Sequence, residues 1–565
     1  MTMLRNLLIL RADKGPARVF LIGFLFTGLF IAMIGRLIWL GSGGQPQTLR
    51  MAVSPSISIA RPDIVDRNGI LLASDVKSFS VFAEPRKILD PDEAAELISA
   101  VLPDLDAVQL RDKMRNGRGF AWIKREISPR EYQEVFRLGI PGIGFLPENK
   151  RIYPNGPAAA HVLGAVNFDN EGISGLEKYL DGAGLQDLNG AGFATNSSVL
   201  APVELSIDLK AQQVLRDELT KAVTKFAAKA AAGVVLDVSN GEIIALVSLP
   251  DFDPNIPADA LKPDRINRIN VGVYEMGSTF KALTTAMALD SGRFTIHSQL
   301  DATQSLRFGR FRINDYRGQN RFLTVPESFI HSSNIAMAKM AMTLGPEYHQ
   351  AFLRKMGQFE RLRTELPESA APLVPSKWGE INTATIAFGH GIAVAPLQAT
   401  MAVAALLNGG KLIKPTFLKN SVLSDRILAS DVISPQTGEA MRFLMRLNAE
   451  KGSAAKASIP GYFIGGKTGT AEKVVDGRYA SNKLLTAFMG VVPADNPKYL
   501  FLTILDEPQP LPETYGFATS GWNAVPVTGA IMERMLPLLG HPPRFENPVQ
   551  PFPVMARLGA WGTMQ

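Results

Sequence analysis

GSTFKALTTAMALDSG, Gly277–Gly292, reads as a buried helix with one residue out of place. From Ala282 to Leu289 nearly every side chain is apolar or a small hydroxyl, yet Lys281 stands in the first turn, three residues after Ser278. Burial disfavours the charged form of an amine, so such a lysine either finds an anion or becomes a neutral base. Residues three apart share a helix face, which puts Ser278 and Lys281 within reach of each other as nucleophile and base. The competing reading is a serine N-cap beside a stray lysine. Gly292 ends the segment as a helix C-cap would.

The surroundings suggest the domain that holds this helix. Leu215, Leu219, Ala222 and Phe226 recur at helical spacing, which predicts a helix over 209–230. GVVLDVSNGEIIALVSLP, Gly233–Pro250, comes next as two apolar runs around Asn240-Gly241, a hairpin in a sheet covered on both faces. Helical segments fill the middle, and Thr486–Pro508 returns to strands. Strands first and last with helices between them predict one α/β domain with an antiparallel sheet.

Ser-x-x-Lys alone is a cheap pattern, present also at Ser74–Lys77 and Ser453–Lys456. Ser278 differs from these in having two further motifs downstream in a set order, Ser332-Ser333-Asn334 and then Lys467-Thr468-Gly469. Acyl transfer from an amide needs a nucleophile, a base, an acid for the leaving amine and donors for the oxyanion. Ser278 supplies the first and Lys281 the second, with Ser332 as proton relay and Asn334 holding Lys281 or the substrate backbone. Lys467 offers a cation for a carboxylate-terminated peptide, flanked by the Thr468 and Thr470 hydroxyls. Gly465, Gly466 and Gly469 are expected to let the strand approach a ligand closely. This ordered triple set is the signature of penicillin-binding proteins and serine β-lactamases.

At 565 residues the chain has room for several domains. Its net charge of +6 is spread thinly, which argues against nucleic acid and favours mild attraction to an anionic membrane. There is no cysteine, so disulfides and thiolate sites are excluded, and the six histidines show no metal-ligand spacing. Neither metal nor cofactor is expected.

Val19–Ile34 carries no charge and, with Leu37–Leu40, approaches the roughly 20 residues of a bilayer crossing. The run exceeds the h-region of a cleaved signal peptide, and no clear cleavage site comes after it. Arg5, Arg11, Lys14 and Arg18 precede it against one acid, Asp13, which keeps the N-terminus cytoplasmic and places everything after about residue 41 outside. Between anchor and catalytic domain lies an irregular, β-rich module opening on SISIARPDIVDRNGILLA, Ser56–Ala73, with Asn68-Gly69 as a hairpin turn. The expected organisation is a cytoplasmic tail 1–18, a transmembrane anchor 19–40, an extended α+β pedestal 41–200, an α/β catalytic domain 201–540 and a poorly ordered Pro-rich tail 541–565.

With these motifs the chain resembles the class B penicillin-binding proteins, and their cell-division branch more than the elongation branch. Arg61–Gly69, RPDIVDRNG, is similar to the family's pedestal motif, with Pro62 where glycine is usual. Arg151, Tyr153, Pro154, Gly164, Gly175, Leu176 and Glu177 match further pedestal landmarks. AFGHGIAVAPLQ at Ala387–Gln398 and KTGTAEK at Lys467–Lys473 match the transpeptidase domain.

The resemblance implies a penicillin-binding transpeptidase fold and a D,D-transpeptidase that cross-links septal peptidoglycan. Ser278 would attack a D-alanyl-D-alanine stem peptide, release D-alanine and pass the acyl group to an amine of a neighbouring stem; β-lactams would acylate Ser278 and stay. It also implies an inner-membrane protein at the division site, with a periplasmic catalytic domain. No stretch resembles a glycosyltransferase motif, so glycan polymerisation is expected from a partner, a SEDS-type membrane glycosyltransferase met within the division machinery. The alternatives are an elongation-type relative, a β-lactamase, or a β-lactam sensor or scaffold without catalysis.

Overall fold

The structure, a computed structural model, describes residues 15–41, 60–116, 119–185, 200–475 and 477–545. The expected cytoplasmic tail up to residue 14, the start of the pedestal at 42–59, the approach to the domain junction at 186–199 and the Pro-rich tail from 546 lie outside the described residues. The chain divides into two units, Met1–Ser56 and Ile57–Gln565.

Among its described residues the first unit forms helix α1, Gly15–Gly41, 27 residues long. Its side chains are described for 22–36, a stretch shorter than a crossing. Within the described residues no helix is long and apolar enough to cross a membrane. Over 22–36 every side chain is exposed, including Phe24 at 84% and Leu25 at 71%.

The second unit begins with the pedestal. Strands β1, Ile64–Val65, and β2, Leu71–Ala83, form the hairpin expected at Asn68-Gly69. Asp66 closes its turn by accepting the Asn68 and Ile70 N–H groups at 2.8 Å each. Strands β3, Ala121–Ile127, and β4, Ile143–Ile152, pair antiparallel with the long β2. Strand β5, Val203–Glu204, pairs parallel with β1, so residues assigned by sequence to the catalytic domain complete the pedestal sheet.

The pedestal landmarks meet in a buried ion network. Arg61 Nε and Arg151 Nε each reach the Glu177 carboxylate at 2.7 Å, Arg61 also binds Asp181 at 2.7 Å, and Arg151 binds Asp75 at 3.1 Å. Burial alone would raise the Glu177 pKa, but Arg151 and Arg61 outweigh it and hold the carboxyl below its usual range. Removing one member of such a network strands charges of the other sign, typically at a cost of about 3–5 kcal/mol. Glu177→Ala should therefore lower the melting temperature of the full chain sharply; an unchanged melt would show that the network contributes little.

The catalytic domain opens with α2, Leu209–Lys225. The sequence pattern predicts this helix to run on to 230, but the chain turns at Ala227, with φ at +43°, and Ala230 already pairs with Asp506. Sheet pairing overrides the helix preference of the alanines. Strands β6, Ala230–Asp237, and β7, Ile243–Leu249, form the expected hairpin. Then come α3, Lys281–Asp290, a small hairpin of β8, Leu306–Phe308, and β9, Phe311–Ile313, and α4, Asn334–Leu344. Next are α5, Pro396–Leu407, buried at every position, and α6, Pro435–Lys451. Strands β10, Gly465–Val475, β11, Arg478–Val492, and β12, Tyr499–Asp506, precede α7, Ala524–Leu538.

The central sheet has the order β10-β11-β12-β6-β7 and is antiparallel throughout. Both faces are covered. Leu215 and Leu219 of α2 pack with Ile531 and Met532 of α7 against Val235 and Phe501. On the other face Leu283, Met287, Leu406 and Leu444 meet Val234, Met489 and Leu502. β6 and β12 are buried at all positions, which explains their nearly continuous apolar sequences. The arrangement leaves β10 as an edge strand beside the start of α3.

Candidate active site

Ser278 lies in a short 3₁₀ turn, Gly277–Phe280, that leads into α3. Gly277 has φ at +52°, and a Cβ there would come within 2.9 Å of the Thr470 carbonyl, so only glycine lets the turn sit against β10. Ser278 is half-buried, and its hydroxyl has no hydrogen-bond partner among the described residues.

Lys281, one turn on, is 1% exposed. Its amine does not hydrogen-bond Ser278. Instead, Nζ reaches the Ser332 carbonyl at 2.5 Å, Asn334 Oδ1 at 2.7 Å and Ser332 Oγ at 3.0 Å. The Asn334 orientation is fixed from its other end, where Nδ2 donates to the Asn314 carbonyl at 2.8 Å. Two of the three partners of Lys281 are thus pure acceptors, whereas the Ser332 hydroxyl can donate. A neutral amine satisfies all three by giving two protons and accepting one.

Lys467 approaches the same hydroxyl from β10. Its Nζ lies 3.0 Å from Ser332 Oγ, placing the hydroxyl between two amines. A lysine in a polar, glycine-rich stretch reads as exposed, but Lys467 is fully buried, because β10 is packed under the Ser332 turn. Burial pushes its pKa down to about 7. The Lys281 pKa falls well below its ordinary value, first through burial and then through the positive charge of Lys467, with Asp315 opposing.

Ser332 itself has φ at +54°, uncommon for a residue other than glycine. Its neighbour Ser333 caps α4, accepting from Ala336 N–H and donating to Asp315 at 2.7 Å. Together these hold the Ser332 side chain toward the two lysines.

As the sheet's edge strand, β10 leaves one row of backbone groups unpaired within the sheet, the arrangement by which extended peptides dock. The Thr470 hydroxyl accepts from Ser520 N–H at 3.1 Å, and the Thr468 hydroxyl lies 2.7 Å from that of Ser453. The space beside the glycines is filled by the protein itself. A Cβ on Gly469 would strike Met276 and Thr279 at 2.8 Å, one on Gly466 the Met489 carbonyl at 2.5 Å, and one on Gly465 the α6 backbone at 3.0 Å. They let protein pack on protein.

The structure thus brings Lys281, Ser332, Asn334 and Lys467 into one hydrogen-bonded group, while Thr468, Gly469 and Thr470 line the adjoining strand. It adds Asn314 and Asp315, which brace the second motif, and Glu275. The Glu275 carboxylate accepts from Gly391 N–H at 2.8 Å and Tyr479 OH at 3.1 Å, and His390 stacks on Tyr479. An acid next to the nucleophile turn and the Phe388–Gly391 stretch were visible in the sequence, but nothing in it joined them to Tyr479. Of the other Ser-x-x-Lys pairs, Lys456 turns away from Ser453 to lie over the Trp522 ring. Among the described residues no group of three His, Asp or Glu side chains converges as metal ligands would.

The two-amine arrangement has a testable sign. Lys467→Met removes a charge that lowers the Lys281 pKa, so that pKa should rise and the pH at which acylation reaches half its plateau should move upward. Stopped-flow acylation by a penicillin from about pH 5 to 10 reads this directly. A slower reaction with an unmoved profile would limit Lys467 to ligand binding.

Comparisons with known proteins cover nearly the whole chain. Residues 231–533 match the penicillin binding protein transpeptidase domain family, and residues 56–191 match the penicillin-binding protein dimerisation domain family. The chain is 37% identical to a probable peptidoglycan D,D-transpeptidase FtsI of Caulobacter vibrioides over 546 residues, 94% of this chain and 89% of that one. It is 34% identical to a probable peptidoglycan D,D-transpeptidase PenA of Neisseria gonorrhoeae, covering 81% and 82% of the two chains. With the peptidoglycan D,D-transpeptidase FtsI of Escherichia coli K12 it shares 29% identity, covering 89% of each. A crystal structure of a peptidoglycan synthetase from Bifidobacterium adolescentis has the same fold, with a TM-score of 0.66 at 21% identity, covering 87% of this chain and 97% of that one.

Proposed function

Since the chain belongs to the class B penicillin-binding proteins, we propose that it is a peptidoglycan D,D-transpeptidase of the dividing cell, with Ser278 as its nucleophile. The observation that carries this is the Lys281–Ser332–Lys467 group beside the unpartnered Ser278 hydroxyl. Neutral Lys281 takes the Ser278 proton as Oγ bonds to the carbonyl carbon of the penultimate D-alanine. The C–N bond to the terminal D-alanine then breaks, and Ser332 relays the proton held on Lys281 to the departing nitrogen, so that both return to their starting forms. Asn334 holds Lys281 in place. Lys467, with the Thr468 and Thr470 hydroxyls, receives the terminal carboxylate, and Gly469 seats β10 against the nucleophile turn. An amine of a second stem attacks the acyl-serine, forming the cross-link and freeing Ser278. A β-lactam enters by the same route and its acyl group remains.

The full chain, supplied with lipid-linked precursor and a SEDS-type membrane glycosyltransferase, should yield cross-linked dimers and free D-alanine. Hydrolysis of nitrocefin with many turnovers and no cross-links would favour a β-lactamase instead.

Residues 19–40 within α1 serve as the anchor, the charges on Arg5, Arg11, Lys14 and Arg18 keeping the N-terminus cytoplasmic and the catalytic domain periplasmic. The pedestal, 41–200, carries the transpeptidase domain, 201–540, and meets the division partners together with the anchor. The KTGTAEK stretch and modest pedestal support septal rather than lateral synthesis. The full chain should stay with membranes through carbonate extraction while a chain lacking residues 1–41 is released; release of both would remove the anchor.

A further inference from the structure

The β8–β9 hairpin carries charge that the fold does not need. Between Thr303 and Phe322 stand five arginines and a single acid, Asp315. That acid is already committed, binding Ser333 Oγ at 2.7 Å and Ile335 N–H at 3.0 Å. Arg321 pairs with Glu327, and Arg317 lies over the Phe517 ring. Arg307, Arg310 and Arg312 are exposed and have no carboxylate partner among the described residues.

Arg307 and Arg312 are also directly opposite each other across the hairpin. Like charges in that position destabilise a strand pair. The inner face explains why the hairpin forms: Ile313, Leu306 and Phe308 pack on Ala338 of α4, with Ala384 and Phe388. The outer face has no such explanation.

Its place in the fold suggests one. The hairpin sits on the helix that carries Asn334, and the next residue after β9, Asn314, accepts the Asn334 side-chain N–H. The arginine face therefore belongs to an element held against the helix of the second motif. Lys467 is the buried cation of the group, held at the Ser332 hydroxyl. The second stem peptide, whose amine must reach the same acyl-serine, carries carboxylates of its own, and the exposed arginines offer them a cationic face outside the buried group.

Resting on the transpeptidase reading, we propose that the outer face of the β8–β9 hairpin, Arg307 and Arg312 with Arg310 at its turn, docks the carboxylates of the amine-donating stem peptide. The contact is electrostatic and solvent-exposed, so added salt weakens it.

The test uses the full chain in detergent, an ester donor ending in D-alanyl-D-lactate, and a synthetic stem peptide with a free side-chain amine, either with free carboxylates or fully amidated. Arg307→Gln/Arg312→Gln should melt no lower than wild type and be acylated by penicillin within about twofold of it. It should need at least about tenfold more carboxylate-bearing acceptor for half-maximal aminolysis, equivalent to about 1.4 kcal/mol. The amidated acceptor should not distinguish the two proteins, and Arg307→Lys/Arg312→Lys should recover much of the loss. Intact acylation with unchanged acceptor dependence would overturn the proposal. So would loss of binding to vesicles of anionic phospholipid with acceptor use unaltered, which would assign the face to a membrane surface. Failure of wild type to form any acyl-enzyme would instead bring down the transpeptidase reading itself.

Discussion

Ser278→Ala is expected to leave no penicillin adduct on a chain that still folds, while Ser74→Ala and Ser453→Ala label like wild type. All three serines begin a Ser-x-x-Lys pattern, but their surroundings differ. Ser74 lies within β2, opposite Ile152, in the pedestal sheet. Ser453 shares its hydroxyl with Thr468, and its lysine is engaged with Trp522. Only Ser278 combines an unengaged hydroxyl with a buried amine in the same turn. Intact-protein mass after exposure to labelled penicillin, with the adduct mapped by peptide, gives the answer. An adduct surviving in Ser278→Ala would place the nucleophile elsewhere.

The second large effect belongs to Lys281. General-base catalysis contributes typically about 10²- to 10⁴-fold to rate, so Lys281→Arg should lose acylation by that order, nearly as fully as Lys281→Ala. The guanidinium keeps its proton near neutrality, and its planar fork does not fit three partners arranged around a single nitrogen. In wild type the sign with pH comes from the depressed pKa of Lys281. Below that pKa the amine is protonated and cannot take the Ser278 proton, so acylation rises with pH through an ionisation below the roughly 10.4 of a free lysine. Because Lys281 and Lys467 both meet Ser332, the observed midpoint belongs to the pair. A folded Lys281→Arg protein that acylates within about tenfold of wild type would leave Lys281 a structural residue.

Much of this was legible in the amino-acid sequence because it is local or ordered along the chain. The apolar runs around Asn240-Gly241 read as strands covered on two faces, and Lys281 among apolar neighbours read as an amine that needs an anion or a lowered pKa. What was not legible depends on residues far apart in sequence. The burial of Lys467 results from its packing against Ser332, 135 positions earlier, and the Glu275–Tyr479 contact spans 204 positions. The left-handed backbone at Ser332 left no mark, since serine does not advertise it as glycine would. The overrun of α2 came from an alanine-rich stretch whose helix preference is real but weaker than the strand partner waiting at Asp506.

The position of β10 at the border of its sheet has a cost in the crowded space where such a protein works. An unpaired strand is a template for any extended chain, and proteins that leave one open invite aggregation. Here much of the strand is covered: the turn before α3 rests on Gly469 and Thr470, so part of β10 is packed against its own chain. The contact that brings Ser278 to the border thus also keeps part of that border in the company of the protein itself.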